Sequence, residues 1–444
     1  MLVLLLVLLS VFGVGLIYLN KSGFPNRDLV TVAIFGTIVL FLSRFNAAVR
    51  LELGDRPFDG FQVYIWGLIV VLGLIRISKK RIQRRVFDVI SMLGGAYIVL
   101  ALISGLVNSG VGGFFAAIQV ISQSVAPFVL AWILVDRNPR GAPSKKENYS
   151  IYLMYLGIII PSILIISAIR PDIFSSVMGW SINAGDVGQG FMRGWSPIGS
   201  TITTGFLVLL AHGLAFHKFI NYKSRIDGFI ALLTACALIF TVSRSVVLSL
   251  IAFYLSYVLI SKKRMRVFSI TLVMVVVVIA LAGFMVTRGY NFERLSESDD
   301  FSTYVRYASA RASLDQVVSN PVLGGGPGLV YSEIRIDNQD SKIKYKTING
   351  KLTVMEPHNG FLLIASEHGL LGLIVCCMLL WWIWLSYKRE TLADFDLFRS
   401  LMFASCCFFL TNSDLIINSQ FSVIYWFIML AGLRSEWPRK RNIA

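Results

Sequence analysis

Five ionisable side chains in this sequence have the type and the surroundings that chemistry needs. Arg193 lies in GFMRGWSPIGS, Arg244 in TVSRSVV, Arg306 and Arg311 in RYASARASLDQVVSNP, and His358 in EPHNGFLLIASEHGLLG. A guanidinium is permanently charged and presents a planar fork that binds phosphate oxygens two at a time. An imidazole takes a proton from a hydroxyl near neutral pH. Together these groups suit a substrate with a phosphate leaving group and a hydroxyl attacker. A plainer reading competes with this one. A lone arginine at a helix end commonly anchors at a membrane interface, and a histidine opening a helix commonly caps it or bonds locally. His212, His217 and His368 are read in that plainer way.

The elements that must position these residues are membrane spans. Of 444 residues, 56% are hydrophobic and only 15% charged, and mean hydropathy is +0.70. A soluble chain of this length needs a more highly charged surface. Runs of about 20 mainly apolar residues, each long enough to cross a bilayer, recur throughout. We read an all-α polytopic membrane protein, a single membrane domain over 1–444 with about 13 spans (12–14). They fall near 2–19, 29–43, 61–77, 87–107, 114–135, 151–168, 201–217, 227–242, 245–260, 267–287, 359–385, 399–411 and 420–433. The first run lacks a basic leader and a small-residue cleavage site, so it reads as a retained helix.

The net charge of +16 does not indicate nucleic acid. Lys and Arg cluster between apolar runs, at 79–85, 137–146, 218–225, 262–266 and 434–441. All five clusters fall on one side when the spans alternate, which makes that side cytoplasmic. The segment 44–60, with Arg44, Arg50 and Arg56, falls on the other side and fits the rule poorly. Two outside loops exceed turn length: 171–200, and 288–357 with nine basic and nine acidic residues. Loops this long and polar are usually functional. Within the second, the stretch that begins at Arg306 reads as a short amphipathic helix. The four arginines and the histidine named first all lie at this outer face. Cys236, Cys376, Cys377, Cys406 and Cys407 sit inside apolar runs without metal-ligand spacing, and read as small apolar residues with no disulfide framework.

NPVLGGGPG, from Asn320 to Gly328, is dense in turn formers. It lacks the Lys-Ser/Thr of a nucleotide P-loop and reads as a turn that aims the preceding helix. Gly369 and Gly372 read as helix-packing positions. Most spans carry no charge in their central turns, and no internal repeat is visible. Both features disfavour a transporter or flippase.

Set in order, these pieces resemble the O-antigen polymerase/ligase (Wzy/WaaL) superfamily. The pieces are Ser243-Arg244 before a span; Arg306, then Pro321 fifteen residues on with LGGGPG; and His358-Asn359, nine residues, then GLLG at 369–372. The likeness covers about 241–373. Ala310 departs from it, where the family often has Trp. The resemblance implies a GT-C-like fold and a metal-independent, inverting glycosyltransferase without cofactor. The donor would be an undecaprenyl-pyrophosphate-linked oligosaccharide, used at the periplasmic face of the bacterial inner membrane. Arg244 and Arg306 would hold the pyrophosphate, and His358 would orient or deprotonate the acceptor hydroxyl. Arg193, Arg311 and Asn359 would assist binding. Polymerase and ligase differ in acceptor, another lipid-linked repeat unit or a lipid A-core, and the shared motifs do not separate them. Polymerase is preferred because nothing specifically marks a lipid A-core site. Implied partners are the lipid-linked donor, the glycan acceptor, membrane lipids, and a flippase and chain-length regulator.

Overall fold

The computed structural model describes residues 50–53, 56–59, 84–136, 155–170, 201–287, 301–327, 347–348, 351–352, 357–387, 395–413, 425–426 and 428–429. Among these, helices dominate. An apolar segment in a bilayer has no water to satisfy its backbone, and a helix pairs every internal N–H and C=O within itself.

The first helical element, α1 (Arg84–Asp136), leaves helical geometry at Ser109 and Gly110. A Cβ built on either Gly105 or Gly113 would overlap the carbonyl of the other. Eight residues of straight helix would hold those positions about 12 Å apart, so the chain reverses there. The element is a helical hairpin, and the two runs expected at 87–107 and 114–135 are its arms. A π-helical turn, Tyr155–Ile159, leads into α2 (Ile160–Ile169). Then come α3 (Thr201–Tyr222), α4 (Arg225–Ile239), α5 (Arg244–Ile260) and α6 (Arg264–Thr287). The long polar segment 288–357 contributes α7 (Phe301–Ser319), followed by α8 (Gly360–Ser386) and α9 (Phe395–Thr411).

Four described segments are long and apolar enough to cross a membrane: Met92–Val111, Thr201–Tyr222, Arg264–Thr287 and Gly360–Ser386. Leu156–Ile169 and Arg244–Ile260 are shorter apolar helices. The runs expected at 2–19, 29–43 and 61–77 lie outside the described residues, as does most of 420–433.

The core is built around α3, whose residues Thr203 to His217 are all buried. Phe206 stacks on Phe408 of α9 at 4.1 Å between centroids. Phe216 meets Tyr254 and Tyr257 of α5 edge-on. Two histidines stitch this core. His212 Nδ1 lies 3.0 Å from both the Ala231 carbonyl and Thr234 Oγ1, and its Nε2 lies 2.6 Å from the Tyr254 hydroxyl. His217 Nδ1 is 2.7 Å from the Tyr257 hydroxyl. Helices α3, α4 and α5 are thereby joined by hydrogen bonds inside an apolar interior, where an unpaired polar group is costly. Helix α6 is the opposite case, with Val273 and Ile279 more than half exposed, as suits a lipid-facing helix.

Two short antiparallel strand pairs accompany the helices. Arg50–Leu53 (β1) pairs antiparallel with Arg56–Asp59 (β2), and Thr347–Ile348 (β3) with Lys351–Leu352 (β4). The second pair flanks Asn349-Gly350 in the sequence, the dipeptide type that most strongly favours a two-residue hairpin.

Candidate active site

Arg244 opens α5 and is exposed. The turn before it is tight. Phe240, Thr241 and Val242 each donate back to carbonyls of the last turn of α4, and Ser243 caps α5 by accepting from the Val246 N–H. Val242 has φ 45, a left-handed conformation that costs a branched residue about 1–2 kcal/mol. It is held there by burial against Ala168, Phe240 and Met285. The strain is local to the arginine it presents, a common correlate of a functional position.

His358 is half-buried and immediately precedes the cap of α8. Asn359 is that cap: its Oδ1 accepts from the Leu362 N–H at 3.0 Å, and its carbonyl from the Leu363 N–H at 2.9 Å. The Asn359 amide oxygen is therefore turned to the helix backbone. Next to it, Gly360 abuts the Phe409 ring, which a Cβ would approach to 2.5 Å, and Phe361 meets Phe409 edge-on at 4.6 Å. The same end of α9 contacts the start of α5, where Ser245 Oγ donates to the Thr411 carbonyl at 3.3 Å. The end of α9 therefore joins the turn carrying Arg244 to the turn carrying His358.

Helix α8 cannot make these contacts while straight. At its far end, Tyr387 stacks on Phe398 of α9, and near its start Phe361 touches Phe409. The two α9 positions are about 16 Å apart along its axis, whereas 361 and 387 would be about 39 Å apart on a straight helix. The bend is at Gly369, with φ 68 and ψ −173. The reading of Gly369 and Gly372 as helix-packing positions needs correction. A Cβ on Gly369 would overlap the Val322 carbonyl, and one on Gly372 would meet the Cβ of His368 in its own helix.

The broken helix is repaired by the loop after α7. Gly325 N–H donates to Ser366 O at 2.8 Å and Gly326 N–H to Glu367 O at 3.0 Å. In return Leu370 N–H donates to Pro321 O at 2.8 Å and Leu371 N–H to Val322 O at 3.4 Å. Carbonyls orphaned on one side of the break and N–H groups orphaned on the other thus find partners in one short loop, as an apolar setting requires. The described part of this motif, 320–327, is a structural turn, as expected, but it also completes the backbone of α8. The backbones come so close that a Cβ on Gly324 would sit 2.5 Å from Glu367 C and Gly369 N.

Arg306 lies on α7 and is half-buried. It shares a face with buried Ser309 and Ser313 and half-buried Gln316, a spacing that forms one stripe on a helix. Arg311 points off that stripe and is exposed. The loop after α7 therefore ties the helix bearing Arg306 to the helix that follows His358. Arg193 lies outside the described residues.

Of the other histidines, His212 and His217 find hydrogen-bond partners, mainly on neighbouring helices rather than locally as expected. His368 does not: neither ring nitrogen has a hydrogen-bond partner among the described residues. The ring is buried, edge-on to Tyr97 at 5.2 Å, with Nε2 3.9 Å from the Glu367 carboxylate. Sequence reasoning also missed Ser104 and Asn108 of α1. Ser104 Oγ lies 2.6 Å from Leu323 O and 2.8 Å from Glu367 O, and Asn108 Nδ2 lies 3.0 Å from Gly324 O. No local signal marks them, because their partners are more than 200 residues away.

No curated protein matches this chain. Residues 229–377 match the family model Wzy_C, described as O-antigen ligase. The match runs from within α4 into the second segment of α8, and so includes Arg244, Arg306, the loop 320–327, His358 and Gly369. Together with the order and spacing of those residues, it supports the resemblance to the O-antigen polymerase/ligase (Wzy/WaaL) superfamily.

Proposed function

We propose that this protein polymerises lipid-linked oligosaccharide repeat units at the periplasmic face of the bacterial inner membrane, within a GT-C-like bundle of about 13 spans. The donor is a glycan on undecaprenyl pyrophosphate, and the acceptor is a sugar hydroxyl of a second repeat unit. That hydroxyl attacks the anomeric carbon, the C–O bond to pyrophosphate breaks with inversion, and His358 takes the hydroxyl proton. Negative charge grows on the departing pyrophosphate, where the forks of Arg244 and Arg306 stabilise it without a metal. Arg193 and Arg311 supply secondary contacts to donor or acceptor. Asn359, its oxygen committed to the cap of α8, contributes through its remaining N–H donors.

The observation that carries this reading is the shared contact of the α5 and α8 starts with the end of α9, which draws Arg244 and His358 to one end of the bundle. Transfer to a lipid A-core, the ligase reaction, is the second reading, favoured by the description of the matched family.

The test uses purified protein in nanodiscs with a lipid-pyrophosphate oligosaccharide donor, with and without chelator. Elongated lipid-linked product indicates polymerase, and product only on added lipid A-core indicates ligase. With His358→Ala we expect transfer to fall by at least about 100-fold, the lower range for a general base, with donor binding retained. Turnover near wild type in His358→Ala would remove the base from the mechanism, and loss of wild-type activity with chelator would refute the metal-free reading.

A further inference from the structure

We infer that Ser104 and Asn108, on the α1 hairpin and outside the matched stretch 229–377, are positioning residues for glycan transfer. They act by locking the loop 320–326 onto the break in α8. The inference rests on the proposed glycan-transfer function.

The lock is made of few hydrogen bonds. The Ser104 hydroxyl has one proton and two carbonyls within reach, Leu323 O at 2.6 Å and Glu367 O at 2.8 Å. One acceptor belongs to the loop and the other to the last residues of α8 before the break, so the hydroxyl bridges the two halves of the junction. Asn108 Nδ2 donates to Gly324 O at 3.0 Å and to Ser104 O at 2.8 Å, which also fixes the α1 turn that presents the serine. Glu367 O already accepts from Gly326 N–H, whereas Leu323 O and Gly324 O receive their donors from α1. Remove those donors and, among the described residues, the loop keeps its four backbone bonds to α8.

The consequence is amplified by distance. Arg306 lies 13 residues before Ser319, the last residue of α7, and His358 lies 11 residues before Gly369. Their lever arms from the junction are therefore about 20 Å and about 16 Å at helical rise. A rotation of about 5° at the junction sweeps Arg306 through about 1.7 Å, and a misplacement of about 1 Å between reacting groups costs on the order of 100-fold in rate. The registration of pyrophosphate grip against proton acceptor thus depends on two polar side chains of a helix that bears neither.

The experiment compares Ser104→Ala, which deletes the hydroxyl, and Asn108→Asp, which keeps the shape but loses the N–H donors, with the conservative Ser104→Thr. We expect kcat per folded molecule to fall about 10- to 100-fold in the first two, with donor KM within about threefold of wild type. Ser104→Thr should retain most of the rate. A purely structural role would lower the folded fraction and leave kcat per folded molecule unchanged; that result overturns the inference. A second readout is independent of activity. With the native cysteines replaced, the pair Val322→Cys and Leu371→Cys is oxidised in membranes, with and without Ser104→Ala. Faster or more complete cross-linking with the serine present supports the lock, and equal cross-linking overturns it. Should the otherwise wild-type protein transfer no glycan, the proposed function fails, and the cross-link alone still decides whether Ser104 holds the junction.

Discussion

Replacing Gly369 by alanine tests the reading of α8 most sharply. The backbone there, at φ 68 and ψ −173, lies in a region essentially confined to glycine, costing an L-residue about 1–3 kcal/mol. The added methyl also overlaps the Val322 carbonyl. That neighbour is backbone, so relief requires separating loop from helix. Separation breaks Leu370 N–H to Pro321 O and Leu371 N–H to Val322 O, and a donor left unpaired in an apolar bilayer setting costs about 1–3 kcal/mol. Strain plus one to two lost bonds gives a destabilisation of about 2–9 kcal/mol. The controls are Gly94→Ala and Gly283→Ala, helical positions where a Cβ meets nothing within 4 Å. Alanine there is neutral or gains up to about 1 kcal/mol of helix propensity. Thermal unfolding followed by monodisperse recovery on size-exclusion in detergent should show a clear fall for Gly369→Ala and none for the controls. Equal melting of all three variants and wild type would refute the claim that a backbone-to-backbone junction breaks α8.

Two further outcomes follow from the site. Arg244→Lys and Arg306→Lys should each lower kcat/KM by at least about 30-fold, equivalent to about 2 kcal/mol of transition-state stabilisation, since an ammonium keeps the charge but not the fork; full activity of both, at matched expression, would reduce these arginines to interfacial anchors. In a cysteine-free background, Ser341→Cys should react with an impermeant thiol reagent in intact spheroplasts, because the five basic clusters assign 288–357 to the outside; labelling only after lysis would overturn the orientation and with it the site.

Helix positions are largely legible in the amino-acid sequence. The apolar runs near 201–217, 245–260 and 267–287 correspond to α3, α5 and α6 with shifts of a few residues at their ends, and the amphipathic stretch that begins at Arg306 is part of α7. Local chemistry suffices there, since a helix satisfies its backbone from its own residues and its caps lie within one turn, as at Ser224, Ser243 and Asn359. Arg244, Arg306 and His358 can likewise be singled out by residue type and neighbours.

What the chain does at Gly369 cannot be read locally. A glycine in an apolar run is compatible with a continuous helix, a kink or a break. The choice here depends on whether distant groups accept and donate the hydrogen bonds that a break exposes. Those groups are the carbonyls of Pro321 and Val322 and the N–H groups of Gly325 and Gly326, nearly fifty residues earlier, steadied by Ser104 from more than 200 residues away. His368 shows the same limit: its neighbours suggest a locally bonded histidine, and only packing against Tyr97 decides that its ring lies buried without a hydrogen bond among the described residues. Segment length and polarity are properties of neighbouring residues, so helices such as α3, α5 and α6 are legible without the fold. The break in α8, and the coupling of Arg306 to His358 through it, belongs to tertiary structure, because an unpaired backbone group in an apolar interior is offset only by a partner that folding brings there.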